Sequence, residues 1–321
     1  MLTGATGFVG RHTLTALAEA GHEVHALTRQ RGSGALARRH GSEALTRQRG
    51  SDVSGVRWHE ADLLAGSKVV EQIRPEVLVH LAWYAEHGKF WSSSENVRWV
   101  EASLALLRAF AAADGRRVVM AGTCAEYEWS REIYPEDAVQ RPATLYGTAK
   151  HGLHTIATAF AEQAGLSLAW GRLFFLYGPH EAPERFVPSL VRSLLAGEPA
   201  PMTDGKQCRD FMHAADAGAA FAALADSQVT GAVNVASGTG VVLRELAERL
   251  ERLVRGGEVG SGELLQIGAR ATPEGEPQAL VADVKRLRDE VGWSPKIGLD
   301  EGLDATIDWW REHLARGQRK R

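Results

Sequence analysis

Short apolar runs alternate with amphipathic helical segments along this chain, and that alternation limits its fold more than any other feature. The runs are aliphatic and β-branched, which is typical of buried strands, and they lie at residues 23–27, 77–81, 117–121, 166–172 and 232–235. Apolar residues at i, i+3 and i+4 predict helices at residues 11–20, 97–113, 149–164 and 214–225. Such strand-helix-strand units predict an α/β fold with a doubly wound parallel sheet.

The regular alternation ends near Tyr177, where proline and glycine begin to interrupt the segments. An amphipathic helix with acidic residues at its start is predicted at residues 299–314. The 321 residues are enough for a large domain carrying a smaller lobe. We expect one domain from residues 1–172 and 214–238, and a smaller interleaved C-terminal α/β lobe from residues 173–213 and 239–321.

Composition excludes several classes of protein. The formal net charge of -3 gives no global electrostatic case for binding nucleic acid. The two cysteines, Cys124 and Cys208, form neither a disulfide framework nor a C-x-x-C pair, which favours a reducing compartment. No apolar run approaches the about 20 residues that span a bilayer. We therefore expect a cytoplasmic protein without a membrane partner.

Two features are unusual for such a chain. The octapeptide at residues 26–33 recurs unchanged at residues 44–51, and the interval carries several arginines. We interpret it as a duplicated surface loop after the second strand, because a nucleic-acid patch would also need aromatic residues to stack bases. Only Met1 and Leu2 precede the first turn, whereas a strand usually has about five residues, so we expect the natural chain to begin upstream.

A glycine-spaced loop opens the chain, with Gly4, Gly7 and Gly10 in a G-x-x-G-x-x-G pattern directly before the first helix. The first glycine permits a tight turn, the second a close approach to a pyrophosphate, and the third close packing of helix on sheet. This pattern predicts a Rossmann-type dinucleotide site. Its loop residues also include Thr6, Phe8 and Val9.

The end of the second strand predicts which dinucleotide binds. Asp or Glu there usually meets a free ribose 2'-hydroxyl, but this chain has Thr28 and Arg29. Because arginine pairs well with a 2'-phosphate, we expect NADP(H), with NAD(H) as the alternative. The repeat leaves Arg47 as a rival to Arg29. Asp62, after the third strand, could meet the adenine amino group.

A phenol and an ammonium lie four residues apart at Tyr146 and Lys150, at the start of a helix and on one face of it. A neighbouring ammonium favours the phenolate, so this tyrosine could act as an acid or base near neutral pH. Thr123 ends another predicted strand, where its hydroxyl could hold a substrate oxygen.

Taken together and in order, these motifs resemble the extended short-chain dehydrogenase/reductase family, in its branch of nucleotide-sugar epimerases, dehydratases and 4-ketoreductases. The matching segments cover nearly the whole chain and lie at residues 3–10, 62–63, 80–82, 96, 121–127, 146–150, 177–179, 209–213 and 292–295. The resemblance implies a catalytic triad of Thr123, Tyr146 and Lys150. It also implies a homodimer, formed through the helices predicted at residues 97–113 and 149–164.

The resemblance further implies two sets of binding residues. The cofactor would contact the glycine loop, Thr28, Arg29, Asp62, Leu63, Leu81, Ala82 and Lys150. The nucleotide sugar, bound largely by the smaller lobe, would contact Trp83, Tyr84, Thr123, Cys124, Glu126, Phe175, His180 and Arg209, with Arg209 at its diphosphate.

Departures from the family pattern narrow the expected chemistry. Sugar 4,6-dehydratases carry an Asp-Glu pair after the threonine, where this chain has Cys124 and Ala125, so dehydration lacks its acid and base. Phe175 replaces an asparagine common in epimerases. We expect NADP(H)-dependent reduction of a keto group, at C4, of a nucleotide-linked 6-deoxy sugar, with Tyr146 as proton donor.

Other functions remain open at this point. An NAD-dependent nucleotide-sugar epimerase would share the same triad. Epimerisation coupled to reduction would need Cys124 and His180 to act as an acid/base pair, although the cysteine is one position out of register. A non-catalytic dinucleotide sensor would usually lack the tyrosine or the lysine, and both are present. No H-E-x-x-H motif occurs, so we expect no metal site.

Overall fold

A computed structural model of the chain describes residues 1–29, 55–256 and 264–318. Most of the duplicated segment, Arg47 included, lies outside the described residues, so its interpretation as a surface loop stays a prediction. In the part of the chain that the structure describes, no helix is long and apolar enough to cross a membrane.

A seven-stranded sheet forms the centre of the molecule, in the order β11-β7-β5-β4-β1-β2-β3. All of its neighbouring strands run parallel. The strands are β1 (Leu2–Thr3), β2 (Val24–Thr28), β3 (Val56–Glu60), β4 (Val77–His80), β5 (Arg117–Thr123), β7 (Ser167–Leu173) and β11 (Gly231–Val235). The order reverses at β1, as in a doubly wound fold, and this confirms the predicted α/β, Rossmann-type fold.

Helices cover both faces of this sheet. One face carries α1 (Phe8–Glu19) and α6 (Ala214–Asp226), and the other carries α2 (Lys68–Ile73), α3 (Glu95–Ala112) and α4 (Leu145–Ala164). The first face buries residues such as Leu14, Leu17 and Phe221. The second buries Leu106, Phe110 and Leu153. The main hydrophobic core is therefore two layers, one on each side of the sheet.

A smaller unit holds the second sheet, in the order β12-β10-β14-β6 with β8 beside β10, and all of these strands except β6 follow β7 in the chain. Its strands are β6 (Ile133–Tyr134), β8 (Phe175–Tyr177), β10 (Cys208–His213), β12 (Gly240–Val242) and β14 (Ala279–Ala282), and a separate pair joins β9 (Ala200–Pro201) to β13 (Leu265–Gln266). Its helices are α5 (Phe186–Ala196), α7 (Leu243–Val254) and α9 (Leu299–Gln318), whereas α8 (Lys285–Asp289) packs against β11 of the main sheet. The domain boundaries at residues 172, 213 and 238 stay a prediction.

Helix α4 begins four residues earlier than the apolar periodicity predicts, at Leu145. The cause is a cap: the Thr144 hydroxyl accepts a hydrogen bond from the backbone N–H of Gly147 at 3.1 Å. Tyr146 therefore lies in the first turn and Lys150 one turn later, on the same side of the helix.

Candidate active site

The glycine loop joins β1 to α1 and leaves room for a phosphate. Gly4 has a φ of +71°, and a Cβ there would lie 2.8 Å from the backbone nitrogen of Ala82. A Cβ on Gly10 would collide with the carbonyl oxygen of Gly4. The first turn of α1 contains no acidic residue and has no side-chain cap, so its N–H groups are free to face an anion. These features fit a dinucleotide pyrophosphate.

Sequence reasoning did not include Arg11, which follows the loop directly. Its guanidinium donates to the carbonyl oxygen of Thr6 at 2.9 Å and to that of Gly7 at 3.4 Å. The contacts brace the loop and place a cation beside the predicted pyrophosphate site. The signal was available, because a basic residue in the first turn after a glycine loop suits a phosphate ligand.

A hydrogen-bonded link fixes the loop to the end of β4. The Thr3 hydroxyl lies 2.7 Å from Nδ1 of His80, and it accepts from the backbone N–H groups of Leu81 and Ala82 at 3.2 Å each. Nε2 of His80 lies 2.9 Å from the Ser103 hydroxyl, which donates to a backbone carbonyl. The imidazole is therefore a neutral Nε2–H tautomer, and burial lowers its pKa to about 3.

The remaining predicted cofactor residues lie along the carboxyl ends of β2 and β3. Thr28 ends β2 and is buried, whereas Arg29 is exposed just beyond it. Asp62 is exposed after β3, and its carboxylate accepts from the backbone N–H of Leu64 at 3.0 Å. Leu63, the residue after Asp62, is buried. Because the carboxyl ends of parallel strands form one edge, these residues share an edge with the glycine loop.

Thr123 and Tyr146 meet at the end of β5. A hydrogen bond between their side chains lowers the pKa of Tyr146, but burial outweighs it and raises that pKa to about 12. The phenol is therefore neutral across the physiological range and available as a proton donor. The expectation that Lys150 would favour the phenolate near neutral pH is wrong for the free protein, because burial dominates the pKa of Tyr146. Its ring packs edge-on against Phe90 and Trp91, at centroid distances of 4.9 and 5.7 Å.

Lys150 extends from α4 toward β5 and is only 5% exposed. Its ammonium donates to the carbonyl oxygen of Ala121 at 2.8 Å. Burial lowers its pKa to about 7, and the negative charge of Glu126 acts in the opposite direction. Lys150 thus holds a proton less firmly than an exposed lysine does, and its charge depends on its neighbours.

Glu126, predicted as a substrate contact, has a different place. Its side chain is fully buried and its carboxylate is taken up by donors of the protein itself. These are the backbone N–H of Thr123 at 2.8 Å, the indole N–H of Trp170 at 3.0 Å and the Arg172 guanidinium at 2.8 Å. With these partners Glu126 supports the strand end beneath Thr123, because a pair this deeply buried needs all its partners. Its predicted contact with the substrate stays a prediction.

Cys124 and His180 have separate surroundings. Cys124 is buried in the apolar cluster that includes Tyr127 and Phe174, and burial raises its thiol pKa to about 12. The His180 ring packs on Trp309 of α9 at a centroid distance of 4.8 Å. A neutral thiol does not act as a base near neutral pH. These surroundings argue against Cys124 and His180 as the acid/base pair that epimerisation coupled to reduction would need.

Phe175 and Arg209 lie together on neighbouring strands of the small sheet. The Arg209 guanidinium is 5.4 Å from the Phe175 ring centroid, and the Phe211 ring is 5.8 Å from the same centroid. Arg209 is 3% exposed and pairs with Glu276 at 2.8 Å. A diphosphate would have to compete with this carboxylate for the guanidinium.

Arg185, at the start of α5, is a second residue that sequence reasoning did not include. Its guanidinium lies 5.5 Å from the Phe90 ring and lowers the pKa of Tyr146. Nothing in the local sequence signals its role, since it reaches the site from an element 39 positions beyond Tyr146.

The other predicted sugar-pocket residues follow β4. Tyr84 donates to the Glu86 carboxylate at 2.8 Å, and Lys89 pairs with the same carboxylate. Trp83 donates its indole N–H to Asn96 at 2.9 Å. Trp83 and Tyr84 are both half-buried, and Trp83 lies beside Lys150.

Sequence reasoning also overlooked that His151 and His154 lie three residues apart on α4. The structure brings them together with Glu126, all ligand atoms within 4.8 Å of one another. A cation there would have to displace the donors that already saturate the Glu126 carboxylate. We therefore assign no metal to this cluster.

Comparisons with known proteins give the family of the chain. The model of the NAD dependent epimerase/dehydratase family matches residues 1–236. UDP-glucuronic acid decarboxylase 1 of Xenopus tropicalis is 26% identical over 327 residues, which cover 98% of this chain and 72% of that protein. The dTDP-glucose 4,6-dehydratase of Xanthomonas campestris is 29% identical over 182 residues, covering 55% of this chain and about half, 52%, of the relative.

Among solved structures, MoeE5 in complex with UDP-glucuronic acid and NAD superimposes with a TM-score of 0.79 at 27% identity, covering 98% of this chain and 99% of MoeE5. The family model spans the glycine loop, the Tyr146-Lys150 pair and all seven strands of the main sheet. The chain therefore belongs to the NAD dependent epimerase/dehydratase family, the extended short-chain dehydrogenase/reductases that its motifs resemble.

Proposed function

We propose that this chain is an NADP(H)-dependent reductase that converts a keto group at C4 of a nucleotide-linked 6-deoxy sugar into an alcohol. The observation that carries the proposal is the set of groups around Thr123. Cys124 and Ala125 supply no carboxylate, and the carboxylate of Glu126 is saturated beneath the strand end. Dehydration needs an acid and a base at the sugar, whereas ketone reduction needs one proton donor.

Tyr146 supplies that donor in the proposed reaction. Its raised pKa keeps the phenol protonated, and Thr123 is hydrogen-bonded to it, so both hydroxyls can hold the substrate carbonyl oxygen. A bound reduced nicotinamide supplies the hydride. Lys150 would hold the nicotinamide ribose and stabilise the phenolate left after proton transfer.

The cofactor assignment rests on Arg29. Its guanidinium is exposed beyond the end of β2, on the same sheet edge as the glycine loop, where a 2'-phosphate would be presented. MoeE5 was solved with NAD, so NAD remains the alternative for this chain.

Support for a deoxy sugar comes from the apolar side of the pocket. Phe175 stands where many epimerases have asparagine, and its ring lies close to Arg209 and Phe211. An apolar ring there favours a methyl group over a hydroxyl, because a buried hydroxyl without a partner is costly. The smaller lobe and Arg209 would then hold the nucleotide diphosphate.

A nucleotide-sugar 4-epimerase with tightly held NAD is the second candidate. It is favoured by the family match and by the Thr123, Tyr146 and Lys150 set, which serves oxidation as well as reduction. Epimerisation at the carbons beside the ketone is disfavoured by the neutral thiol of Cys124 and by the packing of His180 on Trp309.

The test is to incubate the protein with NADPH and a panel of nucleotide-linked 4-keto-6-deoxy sugars while following the absorbance of the reduced cofactor. The proposal expects one NADPH consumed for each sugar reduced. Sugar turnover without net cofactor consumption would identify the epimerase. Running the reaction in heavy water adds a second readout. Deuterium at carbon 3 or 5 of the product that disappears in Cys124→Ala or His180→Ala would show that these two residues act as an acid/base pair in epimerisation.

A further inference from the structure

An aromatic face covers the ammonium of Lys150. Nζ of Lys150 lies 3.7 Å from the ring centroid of Trp83, three residues after β4 ends. At this distance the negative face of an indole attracts a cation, and the attraction is larger where water is excluded. Lys150 is 5% exposed, so the contact is largely desolvated.

The indole is held in this orientation by a buried amide. Its N–H donates to Oδ1 of Asn96 at 2.9 Å. Asn96 is fully buried, and its own amide group donates to the carbonyl oxygens of Phe90 at 2.7 Å and Ser93 at 2.9 Å. All these bonds fix the amide orientation, and the amide in turn fixes the plane of the indole over the lysine.

The Lys150 ammonium has few other stabilising contacts. Among the described residues, its three N–H donors have one hydrogen-bond acceptor, the carbonyl oxygen of Ala121. The charged and titratable groups that interact with it are Glu126 from the turn after β5 and His80 from β4, and Tyr146 lies one turn before it on its own helix. Glu126 is already paired with Arg172, and His80 is neutral.

We propose that Trp83 is a positioning residue that stabilises Lys150 as an ammonium and holds it beside Tyr146. The role acts through Lys150, so its catalytic consequence rests on the proposed function. The ionisation of Lys150 in the free protein does not depend on that function. A failure of one can therefore be distinguished from a failure of the other.

A second role for Trp83 is packing alone. Its ring lies 6.2 Å from that of Trp99, which belongs to the buried cluster beneath α3 and α4. If packing were its only role, replacing the indole would change the free energy of unfolding and leave the ionisation of Lys150 where it is.

The experiment is an NMR titration of the protein with 13C-labelled lysine, with the Lys150 signal identified by its loss in Lys150→Met. We expect Trp83→Leu to lower the pKa of Lys150 by about half a unit to one unit, and Trp83→Phe, which keeps an aromatic face, to lower it less. Trp58→Leu removes an exposed indole and serves as the control, with no expected change. An unchanged Lys150 pKa in Trp83→Leu would overturn the proposal.

Fluorinated tryptophan keeps the shape of the ring and weakens its negative face, so it tests the proposal without altering the packing. In the wild-type sequence, replacing all tryptophan by a multiply fluorinated analogue should lower the Lys150 pKa. In Trp83→Phe the same replacement should have no effect, although every other tryptophan is fluorinated. Equal shifts in both proteins would contradict the assignment to Trp83.

Activity gives a further readout once a substrate is identified. Because protonated Lys150 is the active form, the rate should fall as the pH rises through its pKa. The lower pKa of Trp83→Leu moves this fall to lower pH by the same interval that NMR measures. A lower rate with an unshifted profile would indicate packing alone.

Discussion

Glu126 and Arg172 form an ion pair of 2.8 Å with neither side chain exposed to solvent. The other carboxylate oxygen of Glu126 accepts the backbone N–H of Thr123, also at 2.8 Å. The pair therefore lies directly beneath the proposed catalytic threonine and fixes the end of β5, where the substrate oxygen would bind. It connects the stability of the fold to the geometry of the site.

Breaking the ion pair between Glu126 and Arg172 should destabilise the folded protein. Glu126→Gln removes the charge and leaves the Arg172 guanidinium buried without a counter-ion, so we expect the free energy of unfolding to fall by about 3 to 5 kcal/mol. Glu128→Gln is the control, since its pair with Arg141 is largely exposed and should contribute less than about 1 kcal/mol. Urea unfolding of both variants measures the difference, and equal small losses would show that the buried pair is unimportant.

Tyr146→Phe should reduce turnover by about 100- to 10,000-fold, because the ring remains but the transferable proton is lost. Affinity for the cofactor should be largely retained, as measured by titration of the dinucleotide. Lys150→Met provides the contrast: it should weaken both cofactor binding and turnover, since its ammonium is proposed to serve both. A Tyr146→Phe enzyme with a near-normal rate would rule out the proposed proton donor.

Arg29 should determine the choice of dinucleotide. We expect Arg29→Ala to lower the preference for NADP over NAD by about tenfold or more, because a charged partner of the 2'-phosphate is lost. Arg57→Ala removes an exposed arginine on β3, which pairs with Glu23, and should leave the preference unchanged. If NAD binds the wild type more tightly, or the preference is the same in Arg29→Ala, Arg29 does not select the cofactor.

The buried imidazole of His80 should make the protein less stable in acid. Its pKa is lowered to about 3 by burial, whereas an unfolded histidine takes up a proton near pH 6.5. Between these values the unfolded state binds more protons, so the free energy of unfolding falls with decreasing pH, by up to about 1.4 kcal/mol for each pH unit from this group. Unfolding at pH 7, 6 and 5 should show a shallower decrease in His80→Asn, and an identical slope would contradict the assignment.

Local patterns were sufficient to predict the central sheet and the placement of Tyr146 and Lys150 on one helix. A buried parallel strand needs a continuous apolar run, and Tyr146 and Lys150 share a helix face because they are four residues apart. The glycine loop is equally local, since the positive φ of Gly4 is a property of one residue.

Contacts between distant segments were not predictable in this way. Glu126 follows Thr123 and Cys124 closely in the sequence, so it was predicted to lie in the substrate pocket. Its ion-pair partner Arg172 is distant in sequence and lies on another strand. Arg185 reaches Phe90 and Tyr146 from α5 without any local motif. The short strands β6 and β8 are two and three residues long, too short for a period-two pattern to appear.

The most direct test of the proposed reduction follows the transfer of the hydride from the cofactor to the sugar. NADPH carrying deuterium at the transferred position of the nicotinamide is incubated with the nucleotide-linked 4-keto-6-deoxy sugar that the panel identifies, and the product is examined by mass spectrometry and NMR. Reduction predicts one deuterium at C4 of the sugar and one NADP formed for each product, with both lost in Tyr146→Phe. A converted sugar that carries no deuterium, formed while the cofactor remains reduced, would contradict it.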